Sequence, residues 1–289
     1  MEHLDKTLQI VLSVQVNSMR YADGTQALSN ININITSGAF VGLLGANGSG
    51  KTTLLKVMDG LIKDYNGASF LYKDDIRRLS PSEIYRKVGM VFQNPNDQLF
   101  ASTVFEDVSF GPINMGFETK EVINRVNNAL QAVDMIECAQ KNIHNLSYGQ
   151  KKRACIAGLL AMGHEILLLD EPTEGLDPVG EYKMMDILKK LNKECRVTIV
   201  MATHSVDLIP LFLDSLYVLS SGCIVCAGKP EDVFSTPHEM AEVKLRLPQI
   251  AELFYKLKQV DKLPLGKLPL TIGEARREIV GLLSIRLMK

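Results

Sequence analysis

Eight consecutive residues, Gly45-Ala46-Asn47-Gly48-Ser49-Gly50-Lys51-Thr52, restrict what this chain can fold into more than any other part of it. They fit G-x-x-x-x-G-K-[ST] and stand between a continuous apolar run, AFVGLLG, and a helical run, TTLLKVMDGLI. The order is buried strand, tight loop, helix, which is the context the pattern requires. Glycines let backbone N–H groups wrap phosphate oxygens without side-chain clash. The helix that follows aims its N-terminus at the same anion. Lys51 is placed to reach the β- and γ-phosphates of a nucleoside triphosphate, and the Thr52 hydroxyl to bind Mg²⁺. The expected nucleotide-contacting segment runs from Gly45 through Thr53.

The rest of the chain supplies a frame for that loop. VLSVQVNSMRY reads as a strand. In SNININITSG, Ile31, Ile33 and Ile35 alternate with Asn32 and Asn34, as in a half-exposed antiparallel strand that ends in a turn at Ser37–Gly38. Further buried strands are expected at Val88–Phe92, Ile166–Asp170 and Val197–Thr203, and a hairpin around Ser221–Gly222. From about Ser102 to Gly163 the pattern is helical, as in EVINRVNNALQAV, and reads as a helical subdomain inserted into the core. The expected fold is α/β: a P-loop nucleoside-triphosphatase core of the RecA-like type with an antiparallel β subdomain and that helical insertion, over residues 1–230. A small C-terminal helical appendage follows over 231–289. Two capping boxes are expected in it, Thr236 with Pro237 and Glu239, and Thr271 with Glu274. Ile272, Ala275, Ile279, Leu282 and Leu283 then form one apolar stripe. The Pro/Gly segment DKLPLGKLPL reads as a linker.

Four further positions carry chemistry. Ile166-Leu-Leu-Leu-Asp170-Glu171 is an apolar strand that ends in two acids. Asp170 suits Mg²⁺, and Glu171 suits a general base on the attacking water. Gln93 follows the strand that starts at Val88, where an amide can touch both Mg²⁺ and that water. His204 follows the strand that ends at Thr203, where an imidazole can hold the γ-phosphate. Open α/β sheets bind ligands at the carboxyl ends of their strands, and all four sit there. Tyr21 lies at the end of an earlier strand, and its ring can stack on adenine.

Composition narrows the partners. The 32 Lys and Arg residues against 33 Asp and Glu leave a net charge of −1, which fits neither a strongly basic nucleic-acid binder nor a polybasic anchor. No run of about 18 apolar residues exists, so any membrane contact is expected through a partner. The opening MEHLDKTLQI is too polar for a secretory signal, which makes the cytoplasm the expected compartment. The five cysteines, Cys138, Cys155, Cys195, Cys223 and Cys226, do not form a disulfide framework. Cys223 and Cys226 are three apart on an expected strand, where they face opposite sides and chelate poorly.

These motifs together resemble the nucleotide-binding subunits of ATP-binding-cassette (ABC) transporters. The decisive segment is Leu146-Ser147-Tyr148-Gly149-Gln150, which is similar to the family's signature and opens the helix KKRACIAGLLAM. Gly175-Leu-Asp177 resembles its D-loop. The resemblance implies a head-to-tail dimer. In it, ATP is held between the P-loop of one subunit and Ser147, Tyr148, Gly149 and Gln150 of the other, and Asp177 couples the two sites. Tyr148 departs from the Gly most common at its position, and its phenol either crowds the nucleotide or faces away from it.

A narrower resemblance joins Phe92–Phe100, Tyr21–Leu28 and LSYGQKKR to energy-coupling-factor importers, and the last two to their cobalt-transport branch. Asn96 stands where that branch usually has Asp. The resemblance implies an ATP-hydrolysing motor, with ATP and Mg²⁺, on the cytoplasmic face of the membrane. It implies a coupling membrane subunit docked near Gln93, a substrate-binding membrane subunit and a second ATPase, and a C-terminal tail that helps hold the dimer. Cobalt or nickel is the expected cargo, with a vitamin as the alternative. A repair-type ATPase would carry long coiled coils between the P-loop and the signature. Here only 94 residues separate Lys51 from Leu146, without sustained heptads. A translation-type protein would carry two cassettes. A regulator that does not hydrolyse would lack Glu171 and His204.

Overall fold

A computed structural model describes residues 9–287. The chain opens with two long strands, β1 (Ile10–Arg20) and β2 (Gln26–Thr36), then β3 (Phe40–Leu44), which runs through the glycine-rich loop into α1 (Lys51–Met58). Next come β4 (Asn66–Leu71), β5 (Asp74–Asp75), α2 (Pro81–Tyr85) and β6 (Val88–Val91). The helices α3 (Val104–Asn114), α4 (Thr119–Ala132) and α5 (Tyr148–Met162) form the insertion. They are followed by β7 (Ile166–Asp170), α6 (Pro178–Glu194), β8 (Thr198–Thr203), α7 (Ile209–Phe212), β9 (Ser215–Ser220) and β10 (Cys223–Gly228). The chain closes with α8 (Pro230–Val233), α9 (Pro237–Glu242), α10 (Gln249–Gln259) and α11 (Ile272–Leu287).

Two sheets result. One is antiparallel, in the order β2-β1-β4-β5. The other has the order β10-β9-β3-β8-β7-β6, in which β3, β6, β7, β8 and β9 run parallel and β10 pairs antiparallel with β9. The continuous apolar runs sit where both faces of a parallel sheet are covered. In β7, Ile166 and Leu168 pack with α1 and the antiparallel sheet, while Leu167 and Leu169 pack with the helices of the other face. In β2, the alternation of Ile31, Ile33 and Ile35 buries one face alone. No helix among the described residues is long and apolar enough to cross a membrane.

Several boundaries differ from the sequence expectation, each for a local reason. β6 stops at Val91 rather than Phe92, because the Phe92 N–H donates to Gln98 Oε1 (3.1 Å) and leaves the ladder. β8 starts at Thr198 rather than Val197, whose N–H donates to Leu191 O at the end of α6. The capping box at Thr271 and Glu274 forms, with Glu274 N–H donating to Thr271 Oγ1 and Thr271 N–H to Glu274 Oε2. The one at Thr236 does not. There the hydroxyl donates to Val233 O and Glu239 Oε2, so no helix N–H is capped, although Pro237 does open α9. The apolar stripe of α11 is also split. Ala275 and Leu282 pack against Phe254 and Leu265, whereas Ile272, Ile279 and Leu283 are exposed. Residues of the tail, including Phe234, Met240, Leu245 and Ala251, join the main core.

Candidate functional site: a nucleotide site at the carboxyl edge of the sheet

Gly45 follows β3 directly, and its position leaves no room for a side chain. A Cβ there would lie 2.4 Å from Ser49 Oγ and 2.5 Å from the Leu219 carbonyl oxygen. Gly50 takes the left-handed φ of 104° and caps α1. The chain therefore turns tightly enough for Lys51 to fold back over the loop. Its ammonium is buried and donates to Gly45 O (2.7 Å) and Ala46 O (3.2 Å), and it lies 3.3 Å from Glu171 Oε1. The Tyr21 ring is half-exposed beside the loop, its hydroxyl 2.7 Å from Thr53 Oγ1.

Thr52 and Asp170 are brought together from either side of the site. The Thr52 hydroxyl donates to Asp170 Oδ2 at 2.7 Å, while Asp170 Oδ1 is buried without a hydrogen-bond partner. Burial holds the Asp170 carboxyl above its usual range, and the bond from Thr52 works against that shift. A hydroxyl, a buried carboxylate and an orphaned oxygen fit a hard divalent cation such as Mg²⁺. No group of three or more His, Cys, Asp or Glu able to hold a metal occurs among the described residues. Such an ion would take most of its ligands from phosphate and water.

Glu171 sits at the centre. It is 5 % exposed and adopts φ +48°, the left-handed region that a residue with a side chain rarely takes. Its carboxylate lies between Lys51 and His204, whose Nδ1 is 3.1 Å from Glu171 Oε2. His204 follows β8 directly, so the two catalytic candidates meet across the ends of adjacent strands. Gln93 follows β6 and engages a residue that the sequence reading did not single out. Its side-chain amide donates to Glu174 Oε2 at 2.6 Å and is exposed.

The signature segment opens α5 in a complete capping box: Gln150 N–H donates to Ser147 Oγ, and Ser147 N–H to Gln150 Oε1. Ser147, Tyr148, Gly149, Gln150 and Asp177 line one surface depression of about 270 Å³ to which no residue of the phosphate-binding loop contributes. Asp177 caps α6 by accepting the Gly180 N–H at 2.6 Å. The Tyr148 ring packs on the D-loop, where a Cβ on Gly175 would lie 3.0 Å from Tyr148 Cε1, and its hydroxyl donates to the Gln93 carbonyl (3.3 Å). It thus faces its own subunit's loops. Asn96 accepts from the Lys151 ammonium at 2.8 Å.

Sequence reasoning missed Glu174, which engages Gln93, and Lys152, which is buried beneath Tyr148. The run KKR reads as a solvated charge cluster. Helical spacing carries the opposite signal, because Lys152 shares a face with Cys155, Ile156 and Leu159, all buried.

Residues 28–174 match the family model of ABC transporters. The chain belongs to the ABC transporter family. A protein of Geobacter sulfurreducens with the provisional name of an ABC transporter ATP-binding protein is 64 % identical over 94 % of this chain and 98 % of its own. The energy-coupling factor transporter ATP-binding protein EcfA of Methanocaldococcus jannaschii is 46 % identical over 92 % of this chain and 95 % of its own. Among solved structures, CbiO1 of Clostridium perfringens, described as part of the ABC transporter complex CbiONQ, superposes with a TM-score of 0.75 at 39 % identity, covering 86 % of this chain and 99 % of that one. An ATP-binding cassette solved as a dimer in a post-hydrolysis state with ADP and Pi gives 0.68 at 30 % identity, covering 76 % and 98 %. This ABC protein is therefore an ATP-binding subunit of the energy-coupling-factor group, and its activity is ATP hydrolysis coupled to transport.

Proposed function

We propose that this ABC ATPase works as one half of a head-to-tail pair at the cytoplasmic face of a membrane, and that its cargo is a divalent transition-metal ion, cobalt or nickel. One observation carries the paired reading. The signature residues and the phosphate-binding loop lie at separate places on the chain, so a second copy or a paralogue has to bring a signature to each loop. α5 then points its capped N-terminus at the γ-phosphate of the partner's ATP. The exposed Ile272, Ile279 and Leu283 of α11 offer an apolar face to the same second subunit.

Within each site, Lys51 exchanges its contacts with Gly45, Ala46 and Glu171 for phosphate oxygens, with Tyr21 beside the adenine. Thr52 and Asp170 would hold Mg²⁺, which would neutralise phosphate charge when bound. Glu171 accepts a proton from the attacking water as the bond between the γ-phosphorus and its bridging oxygen breaks, and His204 holds Glu171 on its other side. A groove of about 440 Å³ is lined in part by Gln98, five residues after Gln93, and by Phe100, Phe110, Met115 and Met162. Phe100 and Phe110 are at least half exposed, which suits a helix of a coupling membrane subunit.

The metal cargo rests on the likeness to CbiO1 and on Tyr21–Leu28 and Leu146–Arg153. Affinity purification from gently solubilised native membranes tests it, with partners identified by mass spectrometry and bound metal measured. A coupling membrane protein recovered with a metal-binding membrane subunit is the expected result. A vitamin-binding subunit in its place would keep the motor and discard the metal. Recovery only from the soluble fraction, without a membrane partner, would refute the importer.

A further inference from the structure

Lys152 lies on α5, five residues after Ser147, and is fully buried. Its ammonium donates to the main-chain carbonyl of Glu171 at 2.5 Å and stands 5.1 Å from the centre of the Tyr148 ring. That carbonyl also accepts the Glu174 N–H, while the Glu171 N–H donates to Ala202 O. The residue at φ +48° is thus tied on both sides, and the tie on the carbonyl side comes from a buried cation. A left-handed glutamate persists only where its surroundings impose it. Burial also lowers Lys152 to about 8, against the pull of Glu174, Glu171 and Asp170. A cation kept in so costly a place with a backbone carbonyl as its hydrogen-bond acceptor is serving the geometry of that peptide.

We propose that Lys152 is a positioning residue for Glu171: it locks the Glu171 peptide in its left-handed turn so that the carboxylate stays between Lys51 and His204, and the Tyr148 ring keeps that lock dry. This rests on the reading of Glu171 as the base. It also gives Tyr148 a use at its own subunit's ATP site, since its ring joins the Gln93 carbonyl, Gly175 and the Lys152 ammonium.

The experiment is a double-mutant cycle on the full chain, read as kcat and KM for ATP together with equilibrium affinity for a fluorescent ATP analogue. Lys152→Met is expected to lower kcat at least tenfold and to leave KM and analogue affinity within threefold. Lys152→Gln, whose amide can still donate to the carbonyl, is expected to restore most of kcat. In the background of Glu171→Gln, Lys152→Met should change the residual rate by less than twofold, because its effect passes through Glu171. An equal loss in both backgrounds overturns the positioning role while leaving Glu171 as the base. Native kcat in Lys152→Met overturns it outright. A native rate in Glu171→Gln alone would instead overturn the assignment of the base, and the positioning role with it. If Lys152→Met binds no analogue because it has not folded, Tyr148→Leu takes its place in the cycle. It strips the ring and spares the carbonyl bond, and it should lower kcat in the native background only; additive losses would place its effect at the partner's nucleotide and refute the lock.

Discussion

Replacing Asp59 by Asn should stabilise the protein more at high pH than at low pH. Asp59 closes α1, is partly buried, and has no ionic or hydrogen-bonded side-chain partner among the described residues. Burial pushes its carboxyl up from 3.8 to about 7. Its place at a helix C-terminus adds a negative dipole end that disfavours the carboxylate further. Between those two values the unfolded chain has released the proton and the folded chain keeps it. Folding therefore takes up a proton, and stability falls as pH rises. Below about 4 both states are protonated and the group costs nothing; above about 7 the cost is complete. At about 1.4 kcal/mol per unit over roughly 3 units the ceiling is about 4 kcal/mol, and water reaching a partly exposed group reduces it to about 1–2 kcal/mol. The amide of Asp59→Asn has a similar shape and does not titrate. Urea unfolding of both proteins at pH 4.0, 5.5 and 8.0 should show the advantage of D59N growing by about 1 kcal/mol across that range. A difference that is constant or shrinks with pH would refute the assignment, whatever its absolute size.

Two further substitutions test the nucleotide site. Glu171→Gln should keep ATP affinity within threefold, because it leaves the phosphate-binding loop and Lys51 unchanged, and should lower hydrolysis by about 10²–10⁴-fold. Size-exclusion chromatography with ATP should then find the trapped dimer, and full hydrolysis would remove Glu171 from the base role. Gly45→Ala should weaken ATP binding at least tenfold, since its Cβ meets the fixed Leu219 carbonyl as well as Ser49. A titration with affinity within twofold of the native chain would show that the loop yields without cost.

How far the sequence could be read follows the range of the interactions. Gly45 through Thr52 are legible because the loop's strand, turn and helix lie in one stretch, and each residue type answers a local demand. The same holds for Asp170 and Glu171 at the end of an apolar strand, while Ser147 and Gln150 are legible through the likeness of their segment to the family signature. What is not legible depends on residues far apart in the chain. The end of its strand points Gln93 to the metal site, and does not reveal that its amide also reaches Glu174, 81 positions later. The stripe on α11 has helical periodicity, but the small cluster around Phe254 and Leu265 covers only an arc holding Ala275 and Leu282. Tyr148 is the informative case. Its position in the motif left open whether the phenol faces the nucleotide or turns away, and the answer lies in Gly175 and the Gln93 backbone, neither of which periodicity can bring to it. The Gln93 and Tyr148 contacts tie the segments that follow β6 and β7, at the carboxyl edge of the sheet, to each other and to the start of α5. An ATPase that must convey the state of its nucleotide to a neighbouring subunit needs side chains bonded between loops rather than within them. The residues hardest to read from the chain are therefore the ones that tie its strand-end segments together.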